Sequence, residues 1–397
     1  MHAAFVASYA PRRCGIATFT ADTVAAVRAA DPSTRCSVYA ITELGARHAY
    51  DGSVVGTIAQ GDVRSYRAAA RAIDASAAEV VNVQHEFGLY GVHRDGRFED
   101  HLLPLLERTR RPTVTTLHTV VARPERWMRE AVRDIVAAST VTVVMVGTAA
   151  RLLHEAYGIS QPVIVIPHGM PAVGSFGPPR TKAELGLAGR TVITTFGLVD
   201  RRKGLEYAIE AMPAVVARHP DALYLIAGQT HPEVVRRDGE SYRDTLRALV
   251  ERLGLAGHVA FEDRYLSQRE IVDHLAATDV YVTPYLDPDQ ISSGTLAYAM
   301  GAGRAVVSTP YLHAREALAE GRGTLVPFRD AAAIAEAINA TLDDGERRAR
   351  IERAAAAYSA GTAWPIVGAR VLDVMRAAAR GAAKVVPAGG AAKVVAV

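Results

Sequence analysis

A chain of 397 residues is too long for one ordinary hydrophobic core, so two domains are expected. With 49% hydrophobic and 22% charged residues it is excluded from the disordered class, and a net charge of only +3 without a basic tract gives no reason to expect a nucleic-acid partner. Its two cysteines, Cys14 and Cys36, have no paired spacing, which excludes a disulfide framework or a zinc ribbon.

The first predicted strand is HAAFVASYA, with no long apolar stretch behind it; neither a signal peptide nor a membrane span is read, and the cytoplasm is the expected compartment. Strands are then predicted at CSVYAI, VVNVQH, TVTTLH, VTVVMV and VIVIPHG, with helices between them, among them one following Phe19 and one over 99–108. After a Gly- and Pro-rich junction at 170–180 the same rhythm returns in TVITTFG, LYLIAGQ, VAFEDR, VYVTPY and RAVVSTP. Val- and Ile-rich runs without polar alternation read as strands buried on both faces, hence parallel sheets flanked by helices. Two such rhythms mean two doubly wound, Rossmann-like α/β domains, expected at 1–172 and 180–360. A last helix, 362–380, follows the second domain, and 381–397 is expected to be a flexible tail.

In doubly wound sheets ligands sit beyond the carboxyl ends of strands, so residues that end strands carry the functional expectations. In PRRCGIATFT, Gly15 opens a helix where a bare backbone lets a ligand approach the N–H groups; the alternative is a glycine serving only a tight turn. Cys14 beside it reads as a small buried side chain. In VVNVQHEFG, His85 and Glu86 are expected to bond ligand hydroxyls such as those of a sugar. The alternative is a core histidine with Glu86 capping the next helix. His118 in TVTTLHTVV ends another buried strand and can polarise or bond substrate hydroxyls, or serve as a structural histidine.

In TTFGLVDRRKGLEYAIEAM, a strand-to-helix turn carries Arg201, Arg202 and Lys203, cations suited to phosphate oxygens; the Walker order of glycine and Lys-Ser/Thr is absent. In VYVTPYLDPDQISSGTLAYAMGAGRAVVSTP, Ser292, Ser293, Gly294 and Thr295 open a helix whose free N–H groups suit an anion. Asp287 and Asp289 imitate an acidic metal clamp, but a proline between them reads as a turn. Gly301 and Gly303 are expected to let the next strand pack against this helix.

With these segments in view, nearly the whole chain resembles the retaining GT-B glycosyltransferases of family four, its mannosyltransferase-like members in particular. The matches are Cys14-Gly15 for the family's N-terminal glycine loop, His118 in TLHT, IPHG at 166–169 for an IPNG hinge, Lys203-Gly204 for the donor-phosphate lysine, and a crossover helix near Trp364. The resemblance implies a GT-B fold, two Rossmann-like doubly wound domains facing a central cleft, the first binding the acceptor and the second the donor. It implies transfer with retention of a hexose, mannose favoured, from a nucleotide-diphosphate sugar, GDP-mannose favoured, to a saccharide, lipid or small-molecule hydroxyl, without a metal.

On that reading His118, Lys203 and Arg202 are catalytic. Gly15, Arg201, Gln290, Ser292, Ser293, Gly294, Thr295 and Tyr298 bind the donor and its phosphates, and His85, Glu86 and Gly228 bind sugar and acceptor. Two departures stand out. Leu198 replaces the arginine that follows the strand-ending glycine, and the family's paired glutamates fall on Gln290 and Tyr298. The latter keeps two other readings open, a glycoside phosphorylase of the same fold and a non-catalytic sugar-nucleotide binding protein. The helix in RPERWMREAVRDIV spaces Arg126, Arg129 and Arg133 helically, but Glu125, Glu130 and Asp134 interleave them, so no stable membrane attachment is expected.

Overall fold

The computed structural model describes residues 1–43, 45–94, 97–171 and 176–381. Residues 172–175 of the expected junction and 382–397 of the expected tail lie outside the described residues. The chain divides into two compact units, Met1–Gly169 with the chain from Trp364 onward, and Met170–Ala363.

In the N-terminal unit the strands are β1 (His2–Ala7), β2 (Arg35–Thr42), β3 (Val54–Ala59), β4 (Val80–His85), β5 (Gly91–Arg94), β6 (Arg97–Asp100), β7 (Thr113–Leu117), β8 (Val141–Val144) and β9 (Val163–Val165). Seven form one sheet in the order β3-β2-β1-β4-β7-β8-β9, every neighbouring pair parallel. β5 and β6 form a separate antiparallel hairpin. β4 is buried along its whole length, as a strand covered by helices on both faces must be. The C-terminal unit holds β10 (Thr191–Phe196), β11 (Ala222–Ala227), β12 (Val259–Glu262), β13 (Val280–Thr283), β14 (Ala305–Ser308) and β15 (Thr324–Leu325), in the order β12-β11-β10-β13-β14-β15, again all parallel. Strand order reverses between β1 and β4 in one sheet and between β10 and β13 in the other. Those two switch points are where the fold opens a crevice for ligands.

The helix Trp364–Ala379 belongs to the N-terminal unit and packs on the helix Gly15–Ala30. A Cβ on Gly368 would come within 2.5 Å of Ala26, so this crossing needs the glycine. An ion pair between Arg376 and Asp31 holds the far end. Gly169 meets the Trp364 ring in the same way, its Cβ position lying 2.2 Å from the indole.

Several expectations need correction. The helix placed after Phe19 starts at Gly15, with Cys14 as its N-cap: the sulfur accepts from the Ala17 N–H at 3.3 Å, and the side chain is half-buried. The helix expected over 99–108 is in fact the end of β6 followed by a short helix, Leu103–Leu106. Asp100 is the reason. Its Oδ1 accepts from the N–H groups of Leu102 at 2.9 Å and Leu103 at 3.2 Å, which caps a helix beginning after it. β3, β15 and the hairpin were not foreseen. Gly301 does not admit a strand; its Cβ position lies 1.4 Å from the Met170 sulfur, so the missing side chain makes room for Met170. Gly303 sits in a left-handed turn after the helix, at φ +67°.

Candidate active site

At the C-terminal switch point, β10 and β11 end in two glycines set back to back. Gly197 has φ +119° and Gly228 φ +141°, and a Cβ on Gly228 would lie 2.2 Å from the Gly197 carbonyl oxygen. Beyond Gly197 the chain makes one 3-10 turn, Arg201–Lys203, capped by Asp200, whose Oδ1 accepts from the Arg202 N–H at 2.7 Å. Gly204 closes the turn at φ +59°, and its Cβ position is 2.3 Å from the Pro284 carbonyl oxygen. Leu286 N–H donates to the Arg202 carbonyl at 2.8 Å. The basic turn is thereby laid against the exit of β13.

On that exit stands Tyr285, with the Lys203 amine 3.9 Å from its ring centroid. Burial pushes the Lys203 amine down to about 7, with Asp200 opposing and Arg202 adding to the shift. The Tyr285 hydroxyl bonds Thr295 Oγ1 at 2.7 Å, in the first turn of the helix Gly294–Gly301. Ser293 caps that helix, its Oγ accepting from Leu296 N–H at 3.3 Å, and its own N–H donates to His313 Nδ1 at 2.9 Å. Helix geometry leaves the Gly294 and Thr295 N–H groups without intrahelical acceptors. A half-buried lysine and a helix N-terminus on adjoining strand ends suit a diphosphate.

The N-terminal switch point has a different character. Gly15 begins its helix exposed, with open space where a Cβ would stand. Behind it the Phe19 ring meets His118 and His168 edge-on, both at 4.9 Å, and Trp364 at 5.4 Å. His118 is 7% exposed, and its Nε2 lies 2.9 Å from Gln84 Oε1. The Gln84 amide nitrogen donates to Asn82 Oδ1 at 2.6 Å, so its oxygen faces His118 and assigns the proton to Nε2. Burial pushes His118 down to about 3, with His168 and His85 adding, and burial brings His168 to about 4. Both rings are therefore neutral at physiological pH, and His118 offers hydrogen bonds rather than charge. Glu86, half-buried, accepts from the Thr119 hydroxyl at 2.7 Å.

Two family models match the chain in succession, Glycosyltransferase Family 4 over residues 31–172 and Glycosyl transferases group 1 over 190–344, together about three quarters of its length. The chain belongs to glycosyltransferase family 4. Solved structures of the same GT-B fold match along almost its whole length. The sucrose-phosphate synthase of Thermosynechococcus elongatus matches with a TM-score of 0.74 at 16% identity, covering 95% of this chain and 98% of the other. Anabaena HepE in complex with UDP matches with a TM-score of 0.70 at 16% identity, covering 95% and 100%. Among relatives by sequence, the phosphatidyl-myo-inositol mannosyltransferase of Mycolicibacterium smegmatis is 30% identical over 247 residues, 61% of this chain and 58% of that protein. A GDP-mannose-dependent monoacylated alpha-(1-6)-phosphatidylinositol monomannoside mannosyltransferase of Corynebacterium glutamicum is 29% identical over 208 residues, 50% of this chain and 51% of that one. These matches thus span less than two thirds of the relatives' own length.

Within this family-4 chain, the structure brings together Lys203, Ser293, Gly294 and Thr295 in one unit, and Gly15, Glu86 and His118 at the switch point of the other. It departs from expectation at several residues. His85 has no exposed surface: it stacks on Tyr90 at 5.5 Å, meets Phe87 edge-on, and lies beneath the crevice. Glu86 makes no side-chain cap to the short turn that follows it. Arg202 is held by Asp200, Nη2 to Oδ2 at 2.8 Å, and Arg201 lies over the Tyr242 ring at 5.1 Å. The Ser293 N–H is taken by His313. Gly228 serves the close approach to Gly197. Gln290 bonds the Ser292 carbonyl at 3.1 Å, and Tyr298 is 8% exposed, with Gln268 Nε2 at 3.5 Å from its hydroxyl. Asp287 Oδ1 accepts from the Asp289 N–H at 3.0 Å, the turn that the intervening proline suggested.

Sequence reasoning missed Tyr285, His313, Asp200 and His168. Tyr285 was within reach, since it directly follows a buried strand at a switch point. His313, twenty positions beyond Ser293, carried no local signal. Among the described residues no helix is long and apolar enough to cross a membrane.

Proposed function

We propose that the chain is a retaining hexosyltransferase that moves a hexose, mannose favoured, from a nucleotide-diphosphate sugar to an acceptor hydroxyl. The observation that carries this reading is the meeting of the Lys203 turn, Tyr285 and the N-terminus of Gly294–Gly301 on the carboxyl ends of β10 and β13. An anion bound there would meet one amine and the N–H groups of Gly294 and Thr295, preorganised donors to the charge that develops on a departing diphosphate. In the reaction the bond from the sugar's anomeric carbon to the phosphate oxygen breaks, that oxygen keeping the electron pair. The acceptor oxygen bonds the anomeric carbon on the same face and its proton passes to the departing phosphate. No side-chain nucleophile is needed, and the protein's part is positioning and charge stabilisation.

The N-terminal unit is assigned to hydroxyl recognition, through neutral His118 and through Glu86, while the open helix start at Gly15 suits an anionic group. The relatives named above support GDP-mannose as the donor to try first, and acceptors of the polyol class. Turnover is expected without a divalent metal and without stable attachment to a membrane, in the cytoplasm. The test is to incubate the chain with GDP-mannose or UDP-glucose and candidate polyols. One then measures nucleoside diphosphate release and the anomeric configuration of the product. Inversion, or no release from any donor, overturns the reading. Turnover that requires free phosphate would instead make the chain a phosphorylase.

A further inference from the structure

The Lys203 amine makes no hydrogen bond or ion pair among the described residues. Asp200, the nearest carboxylate in its turn, is engaged by Arg202 through both oxygens, at 2.8 to 3.2 Å. What the amine does have is the face of Tyr285, 3.9 Å from centroid to nitrogen. Several contacts hold that residue. Tyr311 stacks on its ring at 5.4 Å and 17°, the Tyr285 hydroxyl is tied to Thr295, and the Thr309 hydroxyl donates to the Tyr285 carbonyl at 2.6 Å. Its neighbours on both sides are therefore the two halves of the anion site, the basic turn and the start of the Gly294 helix. The choice of lysine is also informative. Of 45 basic residues only four are lysines, Lys182, Lys203, Lys384 and Lys393, and the position facing this ring holds one of them. A compact ammonium seats on one ring face and can leave it for a phosphate oxygen, which a forked, planar guanidinium does less readily.

We propose that Tyr285 is a positioning residue for the anion site: the face of its ring holds the Lys203 amine in place in the empty protein. This deepens the transferase reading and rests on it for the identity of the anion, though not for the contact between ring and amine. Besides Tyr285, the charged and titratable groups around the amine are Asp200 and Arg202 of its own turn and His231 beyond β11.

The experiment titrates the Lys203 amine by nitrogen-15 NMR in the full chain, with only three other lysines to assign. It compares the parent with Tyr285→Phe and with pentafluorophenylalanine at position 285, which keeps the ring's volume and removes its electron-rich face. Melting curves check that each variant folds. Tyr285→Phe should leave the midpoint where it is, while fluorination should lower it by about one pH unit, the worth of a desolvated cation–π contact. Inorganic pyrophosphate, measured by calorimetry, is the ligand probe, and its affinity should fall on the order of tenfold with fluorination and little with Tyr285→Phe. An unchanged midpoint on fluorination, or an equal shift in Tyr285→Phe, overturns the proposal. So does a shifted midpoint with unaltered pyrophosphate affinity. Failure of the parent to bind any nucleoside diphosphate, with pyrophosphate still bound through the ring and amine, would remove the transferase reading alone.

Discussion

The two switch points bury basic groups in opposite ways. In the N-terminal unit His118 and His168 sit edge-on to Phe19 and are bonded, one to Gln84 and the other to the Gly169 carbonyl at 2.6 Å. Burial leaves both neutral. In the C-terminal unit Lys203 rests on Tyr285 with no bonded partner among the described residues, and burial brings it to about 7, where it exchanges a proton near physiological pH. A neutral surface with hydrogen-bonding groups discriminates hydroxyls; a desolvated amine poised near its own midpoint discriminates charge. On the proposed function, similar sheet topology thus serves a sugar or polyol at one crevice and a diphosphate at the other.

The sharpest way to break this contrast is at Lys203. Lys203→Met should lower nucleoside diphosphate release by roughly 10²- to 10³-fold, as removal of one preorganised donor does elsewhere, with a melting temperature no lower than the parent's. Activity near that of the parent would take Lys203 out of the site.

Two glycine substitutions test whether the C-terminal crevice is more tightly built than the N-terminal one. Gly204→Ala places a Cβ 2.3 Å from a carbonyl oxygen at positive φ, and should destabilise the protein by roughly 1–3 kcal/mol or more in chemical denaturation. Gly15→Ala fills open space and should leave stability within about 0.5 kcal/mol, while weakening ligand binding at the helix start. Equal losses from both would erase the distinction.

The pH responses should also differ. His118 and His168 fall from 6.5 to about 3 and about 4 on folding. The unfolded chain therefore takes up protons first as pH falls, and their contribution, fully present above about 6.5, is lost progressively down towards pH 4. Lys203 falls from 10.5 to about 7, so its contribution is fully present only above about 10.5 and is lost as pH falls through 7. Trp127 and Trp364 are the chain's two tryptophans and both lie in the N-terminal unit, so their fluorescence in denaturant at stepped pH reports the histidine window directly. Pyrophosphate binding near pH 8 should draw in up to one proton at Lys203, read by calorimetry in buffers of different ionisation enthalpy. Binding without proton uptake would show that the amine is already charged.

The smallest expected effect is that of a chelator, which should leave activity unchanged. Loss of turnover restored by magnesium or manganese would give Asp287 and Asp289 a role beyond their turn.

Most strands were legible because a parallel strand buried on both faces tends to be a short, nearly continuous apolar run, as in β1 and β11, and such runs carry their own boundaries. β3 was not, since its exposure alternates residue by residue at a sheet edge, and neither was the hairpin of β5 and β6, whose strands are four residues each. The turn capped by Asp200 and the helix capped by Ser293 were written locally, in residues two or three positions from the N–H groups they satisfy.

What the sequence determined by itself is therefore the alternation of elements, the strand ends that carry Gly15, His118, Lys203 and Gly294, and membership of a family that those segments mark. Which of these side chains is free to meet a ligand was decided only by tertiary structure. His85 and His118 both end buried strands, yet one is sealed under Tyr90 and the other keeps a small exposed surface. Arg202 and Lys203 are neighbours in one turn, yet one is bound by Asp200 and the other faces a ring brought from β13. The physical reason is that solvation and partner choice depend on groups distant in sequence: Lys203 and Tyr285 meet because strand order reverses between β10 and β13, Ser293 and His313 because β13 and β14 lie side by side, and no local pattern encodes either pairing.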